Sequence, residues 1–157
     1  MIFTYPYLKR YTWLCHIFLG AILAMAPVGG WMASRGVISL DPLPLAFAVL
    51  FWVAGFDIIY SLQDEAFDRS KGLFSIPASF GRGWASVISA GFHVLAILSL
   101  VWLGSINHLH VFYWTGISIA AIAIFQDHVR GPKLFFLPNV SFSLIVFVAT
   151  WLDLVMR

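Results

Sequence analysis

Two long apolar segments constrain this chain more than any other feature of its sequence. Residues 11–33 and 43–62 are mostly apolar, and each approaches or exceeds the roughly 20 residues that an α-helix needs to cross a bilayer. Only 10% of the 157 residues are charged, against about 25% in a typical soluble domain. So few charges cannot cover a water-exposed surface, but they suffice where lipid is the solvent. The sequence therefore predicts an integral membrane protein.

Three further apolar segments follow, which brings the predicted number of membrane spans to about five. No internal repeat, low-complexity stretch or soluble linker domain interrupts the pattern. The predicted spans are residues 11–33, 43–62, 84–103, 111–126 and 140–155. We therefore expect an all-α fold, a multi-span transmembrane helical bundle in which residues 1–157 form a single membrane domain.

The basic residues fall unevenly on the two sides of this five-span arrangement. One side carries seven Lys and Arg residues: Lys9, Arg10, Arg69, Lys71, Arg82, Arg130 and Lys133. The other side carries two, Arg35 and Arg157. Since cytoplasmic loops carry the excess of positive charge, the N-terminus and the loop after the second span are predicted to be cytoplasmic. There is no basic run, so the sequence offers no electrostatic footprint for nucleic acid.

An acidic stripe stands at the end of the second predicted span. Its residues are Asp57, Tyr60, Asp64, Asp68 and Lys71. If the segment forms one continuous helix, at about 100° per residue, these five side chains share an arc of roughly 80°. Gly72 then fits the position just after the helix end, where a left-handed backbone conformation is common.

Three carboxylates on one helix face predict a cation site. Mg²⁺ prefers hard oxygen ligands and binds through one or two carboxylates plus substrate phosphates. Lys71 could contact those phosphates as a point charge, and Tyr60 could donate its hydroxyl to an oxygen. Two acids four positions apart are, alone, more often a solvated helix face. Asp57, however, lies within an apolar span, where an acid is a functional candidate by default.

Two stretches of the sequence resemble one known family. The first contains the pattern Asp57-x-x-Tyr60-x-x-x-Asp64-x-x-x-Asp68, followed by Lys71-Gly72-Leu73-Phe74-Ser75-Ile76-Pro77 and Phe80-Gly81. It resembles the second aspartate-rich motif of the UbiA superfamily, the intramembrane aromatic prenyltransferases. The second stretch is similar to the segment before that motif in the 4-hydroxybenzoate polyprenyltransferases, and it reads Tyr5-Pro6-Tyr7-Leu8-Lys9-Arg10-Tyr11-Thr12.

The resemblance implies the transfer of a polyprenyl group to an aromatic acid, similar to 4-hydroxybenzoate, in bacterial quinone biosynthesis (ubiquinone or menaquinone). In that family two aspartate-rich motifs face each other, and Mg²⁺ bridges both to an isoprenyl diphosphate. Departure of the diphosphate leaves an allylic cation that attacks the aromatic ring. The resemblance implies that Asp64 and Asp68 are Mg²⁺ ligands. It implies that Asp57 is a ligand or holds the acceptor in place, and that Tyr60 lines the site. It also implies that Lys71, Lys9 and Arg10 bind the diphosphate.

The family's first motif, an Asn-Asp followed by further spaced Asp residues, is absent from this sequence. The only asparagines are Asn107 and Asn139, and neither precedes an Asp. The five spans therefore resemble the C-terminal portion of the family fold, without the opposing half of the metal site. We expect either a fragment of a longer chain or a chain whose partner supplies the first half, and we expect these 157 residues to be inactive alone.

Other functions remain open at this point. A CDP-alcohol phosphotransferase also uses spaced Asp residues and Mg²⁺, but Asp57-Ile58-Ile59-Tyr60 breaks its motif. A transporter or channel component could use Asp57 for cation or proton coupling, and a half-protein could act only as a scaffold. Outside the stripe, His93 is expected to be a packed structural histidine, and Asp153 is expected to be solvated.

Overall fold

The computed structural model describes residues 5–130 and 136–156, and in these ranges the chain forms seven helices and no strand. The helices are α1 (Tyr5–Leu8), α2 (Cys15–Arg35), α3 (Leu43–Ser61), α4 (Glu65–Ser70), α5 (Ile76–Ile106), α6 (Val111–Arg130) and α7 (Phe136–Val155). The predicted all-α class is confirmed. Lys133 and Arg157, which entered the charge comparison, lie outside the described residues.

Five of the seven helices correspond to the five predicted spans. Within the described part of the chain, α2, α3 and α5 are long and apolar enough to cross a membrane, and the apolar parts of α6 and α7 are shorter. Helix α5 differs most from the prediction, because it already begins at Ile76. There the Ser75 hydroxyl accepts a hydrogen bond from the Ala78 backbone N–H at 3.3 Å, which caps the helix. Gly81, with φ +81°, interrupts the helical backbone shortly afterwards.

Helix α3 lies between α2 and α5 and packs extensively against both. Small residues permit the close approach, as is common where membrane helices pack. A methyl group at Gly20 of α2 would collide with the Leu50 carbonyl oxygen of α3. On the other side of α3, the Ser89 hydroxyl of α5 donates to the Gly55 carbonyl at 2.7 Å. These contacts hold the middle and the C-terminal half of α3 between its two neighbours.

His93 lies in the same α3–α5 contact and is 1% exposed, which confirms the packed histidine that was predicted. Its ring is so close to α3 that a Cβ at Gly55 would lie 2.6 Å from its Nε2. Its Nδ1 lies 2.9 Å from Nε2 of His128 on α6. His93 therefore connects three helices of the bundle.

Asp153 corrects a prediction, because it is 2% exposed rather than solvated. From α7 its carboxylate accepts hydrogen bonds from the backbone N–H groups of His110 at 2.8 Å and Tyr113 at 3.3 Å. These donors belong to the first turn of α6, where N–H groups have no partner within the helix. A carboxylate at that end also interacts favourably with the helix dipole. Asp153 thus caps α6 from a neighbouring helix.

Candidate functional site

The acidic stripe does not lie on one continuous helix, so that part of the sequence interpretation is wrong. Helix α3 ends at Ser61, and the backbone N–H groups of Leu62, Gln63 and Asp64 each bond to the carbonyl three residues earlier, at 3.1–3.2 Å. Such 3₁₀-type bonds wind the chain at about 120° per residue instead of 100°, so three residues add a rotation of roughly 60°. The stripe residues after the turn consequently face a different direction from Asp57.

The two predicted metal ligands lie at the second helix of the motif, α4, and they differ in solvent exposure. Asp64 occupies the N-cap position of α4 and is exposed. Asp68, one turn later, is 1% exposed, although the Asp68 N–H bonds to the Asp64 carbonyl at 2.8 Å. The two carboxylates therefore remain one helical turn apart, and they differ in exposure: Asp64 is exposed and Asp68 is buried.

Gly72 has the role that the sequence predicts, since it follows the end of α4 with φ +64°. The Leu73 N–H bonds to the Asp68 carbonyl at 2.8 Å and the Gly72 N–H to the Arg69 carbonyl at 3.3 Å. This pair of bonds is a Schellman motif, which satisfies carbonyls at a helix end and favours glycine at the left-handed position. The chain is thereby directed from α4 back toward α2.

The two family-like stretches of the sequence meet at this turn. Lys9 Nζ lies 3.2 Å from Asp68 Oδ2, and the Lys9 carbonyl accepts a hydrogen bond from the Phe74 N–H at 2.6 Å. The Cys15 thiol lies 3.8 Å from the Phe74 carbonyl. We call residues 9–16 and 68–76, joined by these contacts, the motif clamp. It holds the segment before α2 against the α4–α5 connection.

Asp57 has a partner that the sequence interpretation missed. His16 Nδ1 lies 2.7 Å from Asp57 Oδ2, and the His16 side chain is fully buried. The sequence does mark His16, because an ionisable residue within an apolar segment is a functional candidate, as Asp57 is. Their separation of 41 residues hides the pairing itself.

The two predicted diphosphate partners Arg10 and Lys71 face a common cleft. The cleft has a volume of about 490 Å³, and its lining residues are Arg10, Phe67, Lys71, Gly72 and Leu73. Arg10 and Lys71 are both exposed. Two cations on an open cleft suit an anionic group such as a phosphate. Lys9, the third predicted diphosphate partner, instead contacts Asp68.

Tyr60 and Glu65 complete the surroundings of the motif. Tyr60 is 52% exposed at the end of α3, with its ring stacked near Phe56 at a centroid distance of 6.4 Å. Glu65 accepts from Arg69 at 3.1 Å and from Arg82 of α5 at 3.3 Å. Arg82 also donates to the Leu62 carbonyl at 3.2 Å. The turn between α3 and α4 is thus fixed to α5.

The carboxylates of the motif suit a Mg²⁺ ion that is also bound by substrate phosphates, but they do not form a complete metal site by themselves. Among the residues that the structure describes, no three His, Cys, Asp or Glu side chains converge as a metal site. Asp64 and Asp68 nevertheless supply hard oxygen atoms one turn apart, with Asp64 exposed and Asp68 buried and 3.2 Å from Lys9 Nζ. Mg²⁺ commonly binds through one or two carboxylates together with substrate phosphates. The pair therefore suits a metal whose other ligands come from outside these residues.

Comparison with known proteins identifies the family. Residues 1–131 match the UbiA prenyltransferase family. This chain therefore belongs to the UbiA prenyltransferase family, a class of integral membrane proteins with a multi-span helical fold. One solved structure is similar to nearly the whole of the present chain: the apo structure of a UbiA homolog from Aeropyrum pernix K1. That structure is 32% identical, has a TM-score of 0.86, and is matched over 96% of this chain and 59% of its own length.

Curated relatives are matched over part of their length. The chain is 30% identical over 161 residues to a 4-hydroxybenzoate octaprenyltransferase of Xanthomonas campestris, covering 98% of this chain and 53% of the relative. It is 30% identical over 130 residues to a 4-hydroxybenzoate octaprenyltransferase of Pseudoalteromonas translucida, covering 82% of this chain and 44% of the relative. The chain thus spans about half the length of the curated relatives it matches.

Proposed function

We propose that this chain provides the part of an aromatic prenyltransferase site that carries the second aspartate motif. The observation that carries the proposal is the motif clamp, which brings Lys9 against Asp68 and places Arg10 beside Lys71 at one cleft. The family match and the names of the relatives support prenyl transfer over the transporter, phosphotransferase and scaffold alternatives. The substrates would be an isoprenyl diphosphate and an aromatic acid similar to 4-hydroxybenzoate, in quinone biosynthesis.

The residues at α4 would handle the diphosphate. Asp64 and Asp68 would hold Mg²⁺, which when bound neutralises phosphate charge and favours departure of the diphosphate. Arg10 and Lys71 would contact phosphate oxygens from the cleft. As the bond between the allylic carbon and the diphosphate oxygen breaks, its electron pair leaves with the diphosphate, and these two cations stabilise the negative charge that develops there.

The residues at the end of α3 would face the acceptor. Asp57, held by His16 at 2.7 Å, would orient the aromatic acid near the allylic carbon. Tyr60 would line the same space with its exposed ring and hydroxyl. A bond would then form between the ring carbon and the allylic carbon. The C–H bond at that ring carbon would break, its electron pair would restore the aromatic ring, and the proton would pass to water. Asp57 and Tyr60 would contribute mainly by holding the acceptor in the correct position.

The same arrangement supports an orientation of the chain in the membrane. Residues 9–10 and 69–71 carry four of the basic residues, and the motif clamp holds both stretches at one end of the bundle. Because positive charge accumulates on the cytoplasmic side, the cleft and the N-terminal segment would face the cytoplasm, across a bacterial inner membrane. The diphosphate would then approach from the aqueous side while its apolar tail stays in lipid.

Binding of geranyl diphosphate to the 157-residue chain in lipid nanodiscs tests the diphosphate site. We expect binding that requires Mg²⁺ and that weakens about tenfold or more, or at least 1.4 kcal/mol, in Asp64→Ala. Asp41→Ala is the matched control, since Asp41 is exposed at the opposite end of α3. Binding that is independent of Mg²⁺, or equal in wild type and Asp64→Ala, would contradict the proposal.

Transfer itself requires the rest of the site. In a chimera, this chain replaces the matched portion of the Xanthomonas campestris relative. We expect Mg²⁺-dependent prenylation of 4-hydroxybenzoate by the chimera, loss of that activity in its Asp64→Ala variant, and no turnover by the 157-residue chain alone. Turnover by the isolated chain would show that these residues contain a complete site.

A further inference from the structure

His16 lies between a carboxylate and a helix N-terminus and is fully buried. On one side its Nδ1 is 2.7 Å from Asp57 Oδ2 of α3. On the other side its Nε2 accepts a hydrogen bond from the backbone N–H of Ile76 at 3.2 Å. Ile76 is the first residue of α5. One imidazole on α2 therefore contacts both of the other long helices that surround the motif.

These two contacts determine which nitrogen of His16 carries the proton. The Ile76 N–H can only donate, so Nε2 must offer a lone pair and cannot carry hydrogen. The proton of the neutral ring is then on Nδ1, which donates to Asp57. A doubly protonated ring would direct an N–H against the Ile76 N–H, and the opposite tautomer would do the same. Only the neutral ring with the proton on Nδ1 satisfies both neighbours.

We propose that His16 is a positioning residue that orients the Asp57 carboxylate toward the acceptor side of the site. This inference rests on the proposed function for the role of Asp57, but the hydrogen-bonding arrangement is independent of it. His16 fixes Asp57 Oδ2, and the Ile76 N–H fixes His16. Since Ile76 begins α5, the direction of the Asp57 carboxylate is tied to the position of that helix. Partners that orient metal ligands typically affect affinity or activity by about 10- to 100-fold, and we expect an effect of the same size for a partner that orients Asp57.

Glutamine is the informative replacement at this position. Its amide nitrogen can donate to Asp57, and its carbonyl oxygen can accept from the Ile76 N–H. Leucine has a similar volume and can do neither. His16→Gln should therefore preserve the positioning that His16→Leu removes. His110→Gln is the matched control, because the His110 side chain is exposed near the start of α6.

Two measurements by NMR on the chain in nanodiscs test the inference without any turnover. In the wild-type protein labelled with ¹⁵N-histidine, we expect the His16 Nδ1 signal to be of the protonated type and the Nε2 signal of the unprotonated type. In protein labelled with ¹³C-aspartate, we expect one sharp Asp57 carboxyl signal in wild type and His16→Gln. In His16→Leu the same signal should shift or split. A protonated Nε2, or an Asp57 signal that is identical in all variants, would overturn the inference.

Kinetics on the chimera then test the link to catalysis. We expect His16→Leu to lower kcat about 10- to 100-fold and to raise KM for the aromatic acid, with KM for the isoprenyl diphosphate unchanged. His16→Gln should remain within about threefold of wild type, as should His110→Gln. Equal losses in His16→Gln and His16→Leu would overturn the positioning role. An inactive wild-type chimera would count against the proposed function, and the NMR measurements would still decide the role of His16.

Discussion

Lys9 and Asp68, which are 59 positions apart in the sequence, form an ion pair of 3.2 Å at the entrance to the motif. Asp68 is buried, whereas the Lys9 side chain is 23% exposed. The pair therefore joins a nearly desolvated carboxylate to a lysine that still reaches water. It makes the segment before α2 part of the same unit as the aspartate motif.

Removing the lysine leaves a carboxylate buried without this cation. We expect Lys9→Met to lower the free energy of unfolding by about 2–3 kcal/mol, below the roughly 3–5 kcal/mol of a fully enclosed pair because Lys9 is partly solvated. Thermal unfolding in detergent measures this loss. Lys71→Met, which removes an exposed lysine at the end of α4, should change stability little. The double variant with Asp68→Asn should recover part of the loss, and full additivity of the two substitutions would show that the pair does not couple.

The cap that Asp153 provides to α6 predicts a local destabilisation. In Asp153→Ala the N–H groups of His110 and Tyr113 lose their carboxylate acceptor, at an expected cost of about 2 kcal/mol. Hydrogen exchange of amides in the first turn of α6 should accelerate, while exchange in α3 should not change. Asp153→Asn keeps an acceptor oxygen and should lose less than half as much. Unchanged exchange in α6 would mean that the first turn has other acceptors.

The close approach of α3 to His93 predicts that any side chain at Gly55 destabilises the protein. A methyl group there would lie 2.5 Å from His93 Cδ2 and 3.1 Å from the Ser89 carbonyl oxygen. We expect Gly55→Ala to cost about 1–3 kcal/mol through overpacking. Gly91→Ala on α5 is the control, since a Cβ there would meet nothing within 4 Å. Equal melting temperatures for the two variants would contradict the packing described at α3.

The left-handed backbone at Gly72 predicts a further effect on the cleft. Any other residue at φ +64° is strained, and for alanine the cost is about 1–2 kcal/mol. Gly72→Ala should therefore loosen the end of α4 and weaken Mg²⁺-dependent binding of geranyl diphosphate. Gly72→Asn should be milder, because asparagine adopts this conformation more readily. Identical binding by wild type and Gly72→Ala would show that the α4 end does not shape the cleft.

Much of the fold could be predicted from the sequence, because the long apolar segments of α2, α3 and α5 leave few alternatives. The turn at residues 62–64 could not, since no Gly or Pro marks the place where α3 changes to 3₁₀-type bonding. That turn is why α4, with Asp64 and Asp68, faces a different direction from Asp57. The helix end at Gly72 was predictable because the left-handed backbone conformation that follows a helix favours glycine.

The partners of the charged groups were the least predictable part of the site. Asp57 was singled out by its place in an apolar span, but its contact with His16 depends on how α2 packs against α3. Asp153 was wrongly expected to be solvated, because its role as an acceptor arises only where the start of α6 lies beside α7. Periodicity describes one helix at a time, whereas these contacts arise between helices.

The motif clamp also has a consequence for the order in which the protein is made. Lys9 and His16 leave the ribosome well before their partners Asp68 and Ile76, which follow 59 and 60 residues later. Chains emerge from the N-terminus onward, so α2 and α3 can enter the bilayer and meet at Gly20 while the segment before α2 still lacks those partners. The site is therefore assembled only after the start of α5 has been synthesised, because His16 and Asp57 already belong to the chain before Ile76 is added.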